Sequence, residues 1–215
     1  MAYFFLQCVD EACRFRFPAS AAEATTARCP RCRGPVVAVA EASRERPLHG
    51  DAPGDERVLV GLLDNIRSIH NTGSMFRTAD GAGVRHLYLA GITATPDHSR
   101  LAKAALGALE VVNWSYGPNA VELAGALSAD GYQLWALEPR TPSSPNGVTV
   151  DERPARLALV VGNERAGVDP GVMALCDGVL SLPMTGQKTS LNAAVAFGIA
   201  VYSLQFRATT PVVHP

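Results

Sequence analysis

Four of the five cysteines fall in two close pairs, Cys8 and Cys13 in "CVDEAC" and Cys29 and Cys32 in "CPRC", with fifteen residues between the pairs. Such an arrangement suits a metal better than two disulfides. Each pair can span one edge of a tetrahedral Zn²⁺ while the intervening chain loops back, and a reducing compartment keeps the thiols free. Cys8, Cys13, Cys29 and Cys32 are therefore the expected zinc ligands, although the gap in the first pair is wider than the common two residues. Cys176, in "GVMALCDG", stands alone and reads as a small buried apolar residue.

A second group of polar residues follows three apolar runs. "RVLVGLL" leads into "DNIRSIHNTGSMFRTADGAG", "LALVV" into "GNERAG", and "VLSLP" into "MTGQKTSLN". Taken singly, each loop has an ordinary structural reading. Asn71 precedes a helix, Asn163 sits in a turn, Thr189 or Ser190 caps a helix, and Asn192 lies in its first turn. Glu164 would cap the turn before Gly167, and Arg77 would pair with Asp80 along a helix face. Standard nucleotide signatures fail: in "GQKTS" a Gln separates Gly from Lys, and "GAGVRH" lacks its third glycine. There is no HExxH and no GxSxG, and the five histidines form no spaced cluster.

The elements that must position these loops alternate in type. Strands are expected at "RVLVGLL", "HLYLAG", "VVNWSYG", "YQLWAL", "LALVVG" and "VLSLPM". Helices are expected at "NTGSMFRTADGAG", "HSRLAKAALGAL", "PNAVELAGALSADG" with Pro in its first turn, near "PGVMALC", and from Thr189 onward. Near-continuous apolar strands alternating with helices indicate an α/β fold: a mostly parallel sheet covered on both faces, with ligands at the carboxyl ends of strands.

Residues 1–40 are too few for a core of their own, so a metal would substitute for it, with Phe4, Phe5, Phe15 and Phe17 packed around the knuckles. The segment carries Arg14, Arg16, Arg28, Arg31 and Arg33 against Asp10, Glu11 and Glu23. That mild basic excess fits either a solvated face or an RNA phosphate contact. Polar, Pro- and Gly-bearing residues 41–56 read as a linker, and residues 57–215 as the second domain. The whole chain has 47% hydrophobic and 18% charged residues and a formal charge of -1, so it is neither a disordered tail nor a strongly basic nucleic-acid binder. No apolar run reaches the roughly 18 residues of a membrane span and no signal peptide is apparent, which makes a cytoplasmic location and no membrane partner the expectation.

In order, the three loops resemble the SpoU/TrmH family of the SPOUT superfamily, knotted RNA methyltransferases that use S-adenosylmethionine. The carriers are "NTGSMFRTADGAG", "GNERAGV" and "LPMTGQKTSLNAAVAFGIAVY", within residues 57–206; the first forty residues lie outside the resemblance. It implies a C-terminal trefoil knot, a homodimer, and methylation of a ribose 2'-hydroxyl in tRNA or rRNA. It further implies cofactor contacts at Gly162, Leu182 and Leu191, with Met184 and Leu137 beside them. Arg77 is the implied central catalytic residue, surrounded by Asn71, Glu164, Ser190 and Asn192. A guanidinium with a pKa above ~12 is better suited to clamping a phosphate and stabilising developing negative charge than to accepting a proton. Two alternatives stay open: a non-catalytic RNA-binding or ribosome-assembly protein retaining the knot, and base methylation by the same fold.

Overall fold

The computed structural model describes residues 2–42, 57–139 and 147–206. The chain forms two compact units, Met1–Gly50 and Asp51–Pro215.

The smaller unit is an antiparallel three-stranded sheet, ordered β2-β1-β3, of β1 (Tyr3–Cys8), β2 (Arg16–Ser20) and β3 (Val36–Glu41). One helical turn, α1 (Ala21–Ala24), follows β2 and is held by a capping box between Ser20 and Glu23. The burial differs from expectation. Phe5 and Phe15 are exposed and Phe4 and Phe17 only half-buried, while Leu6, Cys8, Ala19 and Cys29 fill the interior. A sheet of three short strands has one inner face, and the thiols take most of it. Glu41, expected to open the linker, ends β3; residues 43–56 of that linker lie outside the described residues.

In the larger unit, strands β4 (Val58–Asp64), β5 (His86–Ala90), β6 (Trp114–Gly117), β7 (Gln133–Leu137), β8 (Gly147–Val148), β9 (Arg156–Val161) and β10 (Gly178–Leu180) form one sheet. Its order is β6-β5-β4-β9-β7-β10-β8, and every pairing is parallel. Side chains alternate between two cores. Leu59 and Leu63 of β4 and Leu157, Leu159 and Val161 of β9 join α2 (Ile69–Ala82), α3 (Ser99–Ala105) and α6 (Ala193–Gln205). Val60, Leu62, Ala158 and Val160 join α4 (Ala120–Ala129) and α5 (Pro170–Met173) on the other face. No helix among the described residues is long and apolar enough to cross a membrane.

Several boundaries differ from the sequence reading. The helix expected over 98–109 breaks after α3, where Leu106 and Gly107 turn left-handed (φ 49° and 90°), and only a 3-10 turn follows. Pro118 precedes α4 rather than entering it, because Asn119 is the cap and its Oδ1 accepts from Val121 and Glu122 N–H. β10 stops at Leu180, before Pro183. The last helix starts at Ala193 instead of Thr189, capped by Asn192. Most of the "TPSSPNG" loop, residues 141–146, lies outside the described residues; Gly147 opens the unforeseen β8.

Candidate cofactor cavity and metal centre

All strands run parallel, but the side of the sheet to which the chain adds them switches between β4 and β9: β5 and β6 lie on one side, β7, β10 and β8 on the other. At such a switch point the loops leaving the two central strands diverge and open a crevice at their carboxyl ends. Glu164, just after β9, crosses this gap. Its Oε2 accepts from the Arg67 N–H (2.9 Å), and its Oε1 accepts from Ser68 N–H (3.0 Å) and from Asn71 Nδ2 (2.8 Å). Burial alone would raise the Glu164 pKa, but these donors, with its own backbone N–H, outweigh it and hold the carboxyl below its ordinary value. The carboxylate thus sits ionised at the start of α2, where the helix dipole favours it.

Asn71 extends the chain of contacts. Its Oδ1 accepts from Asn192 Nδ2 (3.0 Å), and Asn192 Oδ1 in turn accepts from Ala194 and Val195 N–H at the start of α6. Three loops about 120 residues apart at most are thereby tied in one line, Glu164 to Asn71 to Asn192. Asn71 lies inside α2 instead of ahead of it, since Ser68 is the cap.

The loop after β9 is built around glycine. A Cβ on Gly162 would run into the backbone of Gly167 and Val168, so no other residue fits without moving the main chain. Gly167 adopts φ 76°, and Asn163 closes the turn by pairing both ways with it and by accepting from Arg165 and Ala166 N–H.

Beside this turn is a cavity of about 300 Å³, at the lower end of the roughly 300–1,000 Å³ of small-molecule sites. Its walls include Leu137, Gly162, Leu182, Met184 and Leu191, together with Glu164, Ser190 and Asn192. Asn71 is joined to it by hydrogen bonds without lining it. Arg77 stands apart: it is exposed on α2, does not line the cavity, and among the described residues makes no hydrogen bond or ion pair, Asp80 included.

Glu138 is a lining residue that sequence reasoning missed. It follows β7, where "ALEPR" resembles an ordinary strand end and carries no motif. Burial raises its pKa against the opposing Val168 N–H, which donates to Oε1 at 2.8 Å. The buried Asp64 likewise gave no sequence signal; it accepts from Asp169 N–H (2.7 Å) and Asn65 Nδ2 (2.8 Å) and braces the β4 end against the start of α5.

In the smaller unit the Sγ atoms of Cys8, Cys13, Cys29 and Cys32 all lie within 4.8 Å of one another, with Cys8–Cys32 at 3.4 Å and Cys13–Cys29 at 3.7 Å. Sulfurs at the corners of a tetrahedron around Zn²⁺ sit about 3.8 Å apart, given a Zn–S bond of ~2.3 Å. The four thiols therefore fit the ion. Burial pushes Cys29 up, but the Cys32 and Arg31 backbone N–H groups outweigh it and bring the thiol down to about 7. Burial pushes Cys8 up to about 12, so a cation is what lets all four ionise together. Cys176 is half-buried against the α4–α5 core, and burial raises its thiol to about 12, which makes it inert.

Residues 58–202 match the SpoU rRNA Methylase family model. A Burkholderia 23S rRNA (guanosine-2'-O-)-methyltransferase, RlmB, is 34% identical over 178 residues, covering 80% of this chain and 69% of that one. YacO of Bacillus subtilis (strain 168), assigned by name to the TrmH family of tRNA/rRNA methyltransferases, is 32% identical over 158 residues, 74% of this chain. The match spans 62% of YacO's own length. Among solved structures, the SpoU methyltransferase AviRb of Streptomyces viridochromogenes in complex with AdoMet superposes with a TM-score of 0.60 at 28% identity, over 71% of this chain and 61% of that one. With a family model spanning most of the chain and the three motif loops joined at one cavity, this chain belongs to the SpoU rRNA Methylase family.

Proposed function

We propose that this protein transfers a methyl group from S-adenosylmethionine to a ribose 2'-hydroxyl of tRNA or rRNA in the cytoplasm. The observation that carries the reading is the hydrogen-bonded line from Glu164 through Asn71 to Asn192 at the mouth of the cavity. Support for the cofactor comes from the AdoMet complex of AviRb, and for the ribose position from the name of the Burkholderia relative.

The lining suits the cofactor. An adenosyl group asks for apolar walls with backbone hydrogen-bonding groups at the edge. Leu137, Leu182, Met184 and Leu191 supply the walls, and the main chain at Gly162 is bare of any side chain. Glu138 adds a carboxylate able to accept from ribose hydroxyls. When bound, S-adenosylmethionine supplies an electrophilic methyl on a sulfonium. The residues of the chain then orient the incoming RNA. Glu164 fixes the amide of Asn71, Asn192 holds the loop over the cavity, and Ser190 offers a hydroxyl to the reacting region. Arg77 clamps a phosphate and stabilises charge developing on the 2'-oxygen.

How Arg77 reaches that region is explained by a homodimer. Val195, Ile199, Tyr202 and Phe206, on and just beyond α6, are 51%, 44%, 46% and 45% exposed and form an apolar stripe suited to a second copy of this chain. Tyr202 lies over Gly81 and Thr78 over Gly198, so the α2 face next to Arg77 borders that stripe. Pairing through α6 brings Arg77 to the seam between copies. The trefoil knot belongs to the same reading; the placement of β10 beside β7 and the return of α6 onto α2 are compatible with it.

The test is transfer of labelled methyl from S-adenosylmethionine to tRNA and, separately, to rRNA lacking the modification, with nucleoside digestion. Label in a 2'-O-methylnucleoside is expected. Label on a base, or none in either RNA despite cofactor binding, overturns the reading. Arg77→Ala is expected to lower transfer by at least about 100-fold with cofactor affinity unchanged; lost cofactor affinity would overturn its role.

A further inference from the structure

Two backbone positions in the smaller unit are occupied by the wrong residue for comfort. Arg14 (φ 47°) and Arg33 (φ 63°) adopt the left-handed conformation, which penalises any residue with a Cβ and which glycine takes freely. Each directly follows the second cysteine of its pair and closes a tight turn, Arg14 N–H donating to Asp10 O and Arg33 N–H to Cys29 O, both at 2.8 Å. Glycine would serve both turns better, yet both carry a guanidinium. Arg28 and Arg31 directly precede Cys29 and Cys32. Because the four Sγ atoms converge within 4.8 Å, these four arginines leave the backbone one residue away from a common centre and ring one end of the unit.

Their charge is not spent internally. All four are exposed, and among the described residues none has a side-chain partner. Two of the three acids nearby are engaged in local caps: Glu23 accepts from Ser20 N–H (2.9 Å) and Ser20 Oγ (2.6 Å), and Asp10 Oδ1 accepts from Ala12 N–H (2.9 Å), while Glu11 is exposed and, among the described residues, pairs with no arginine. Four thiolates on Zn²⁺ would leave a formal charge of about -2 for arginines to offset. Among the described residues no hydrogen bond or ion pair joins an arginine to a sulfur, so the guanidinium donors remain open to an outside anion even where their charge offsets the centre at a distance. Beside Arg14, the ring of Phe15 is 38% exposed and backed by Phe17 at 6.1 Å between centroids.

We propose that this arginine ring and Phe15 form an RNA-binding surface separate from the methyl-transfer site. The guanidiniums contact phosphates of a looped or single-stranded segment, and Phe15 stacks on an unpaired base. The choice of RNA over other polyanions rests on the methyl-transfer reading; the surface itself rests on the geometry.

The test uses the full-length, zinc-loaded protein and the double variant Arg14→Gly/Arg33→Gly, whose backbone is relieved and whose zinc content should therefore hold. Binding of labelled total tRNA and of a labelled single-stranded RNA oligonucleotide is titrated across salt, alongside zinc content and S-adenosylmethionine affinity. The expected result is unchanged zinc and cofactor binding and roughly tenfold weaker RNA binding near ~0.1 M salt. The slope of log affinity against log salt becomes shallower by about 1.4, at ~0.7 per lost single-strand contact. Phe15→Ala is expected to weaken single-strand binding several-fold with the slope unchanged. Unchanged RNA affinity and slope in the glycine variant, or RNA binding lost together with zinc, overturns the proposal. Arginine-dependent RNA binding in a protein that transfers no methyl group would sink the enzymatic reading and leave this surface standing.

Discussion

In the larger unit, Phe76, Trp135 and Phe197 are shut away between a seven-stranded sheet and its helices, and the polar line Glu164–Asn71–Asn192 lies beyond the strand ends. Among the described residues of the smaller unit the buried side chains are Leu6, Cys8, Ala19 and Cys29, two of which are thiols. The first unit has apolar area to spare and can hold a polar line such as Glu164–Asn71–Asn192 at its rim. The second has almost none, so the four sulfurs must do for it what a core does elsewhere. The contrast separates two ways of positioning chemistry, by a rigid scaffold and by a metal clip.

The largest effect should come from removing the clip. Chelation, or Cys29→Ser, should unfold the smaller unit, since structural zinc contributes an apparent ~10–16 kcal/mol in small modules. Both tryptophans, Trp114 and Trp135, lie in the larger unit, so tryptophan fluorescence should melt at the same temperature with and without chelator while far-ultraviolet ellipticity drops. A shift of the tryptophan transition would break the independence of the units. Acid should mimic the chelator, because each thiolate that leaves the metal takes up a proton and metal affinity therefore falls as the pH is lowered.

A smaller loss is expected at the rim of the scaffold. Gly162→Ala forces a methyl into the backbone of Gly167 and Val168, an overpacking that typically costs about 1–3 kcal/mol. The urea midpoint should fall and S-adenosylmethionine binding should be lost; intact binding would show that the bare main chain at residue 162 is not part of the cofactor site.

Glu164→Gln should have the smallest effect on stability, about 1 kcal/mol once the exposure of the carboxylate is allowed for. The sign with pH is definite. The folded-state pKa lies below the ordinary 4.5, so this carboxylate stabilises the fold above 4.5 and that contribution is lost as pH falls through the depressed value. Wild type and variant should differ at neutral pH and converge in acid. A difference that persists at low pH would mean that packing, not charge, holds the line across the switch point.

The parts of this architecture open to sequence reading share a local physical cause. Alternation of apolar runs with helical spacing marks a parallel sheet because strands buried on both faces carry mostly apolar side chains, and paired cysteines mark a metal because close spacing lets each pair hold one edge of the ion. Boundaries were less accessible. α3 ends where Leu106 accepts a left-handed conformation, and β10 is only three residues long although the apolar run continues to Leu182, neither of which periodicity reports.

The composition and spacing of this chain determined that it would be an α/β protein with a four-cysteine module, and the three loop motifs identified its family. Only the tertiary structure decided which polar residues meet. Asn192 lies 121 residues from Asn71, and Glu164 lies 93 residues from it, separations over which no local pattern carries a hydrogen bond. Glu138 joined the cavity, and Arg77 was left exposed on α2 away from it, because strand order and helix packing, which are collective properties of the fold, set where side chains end up.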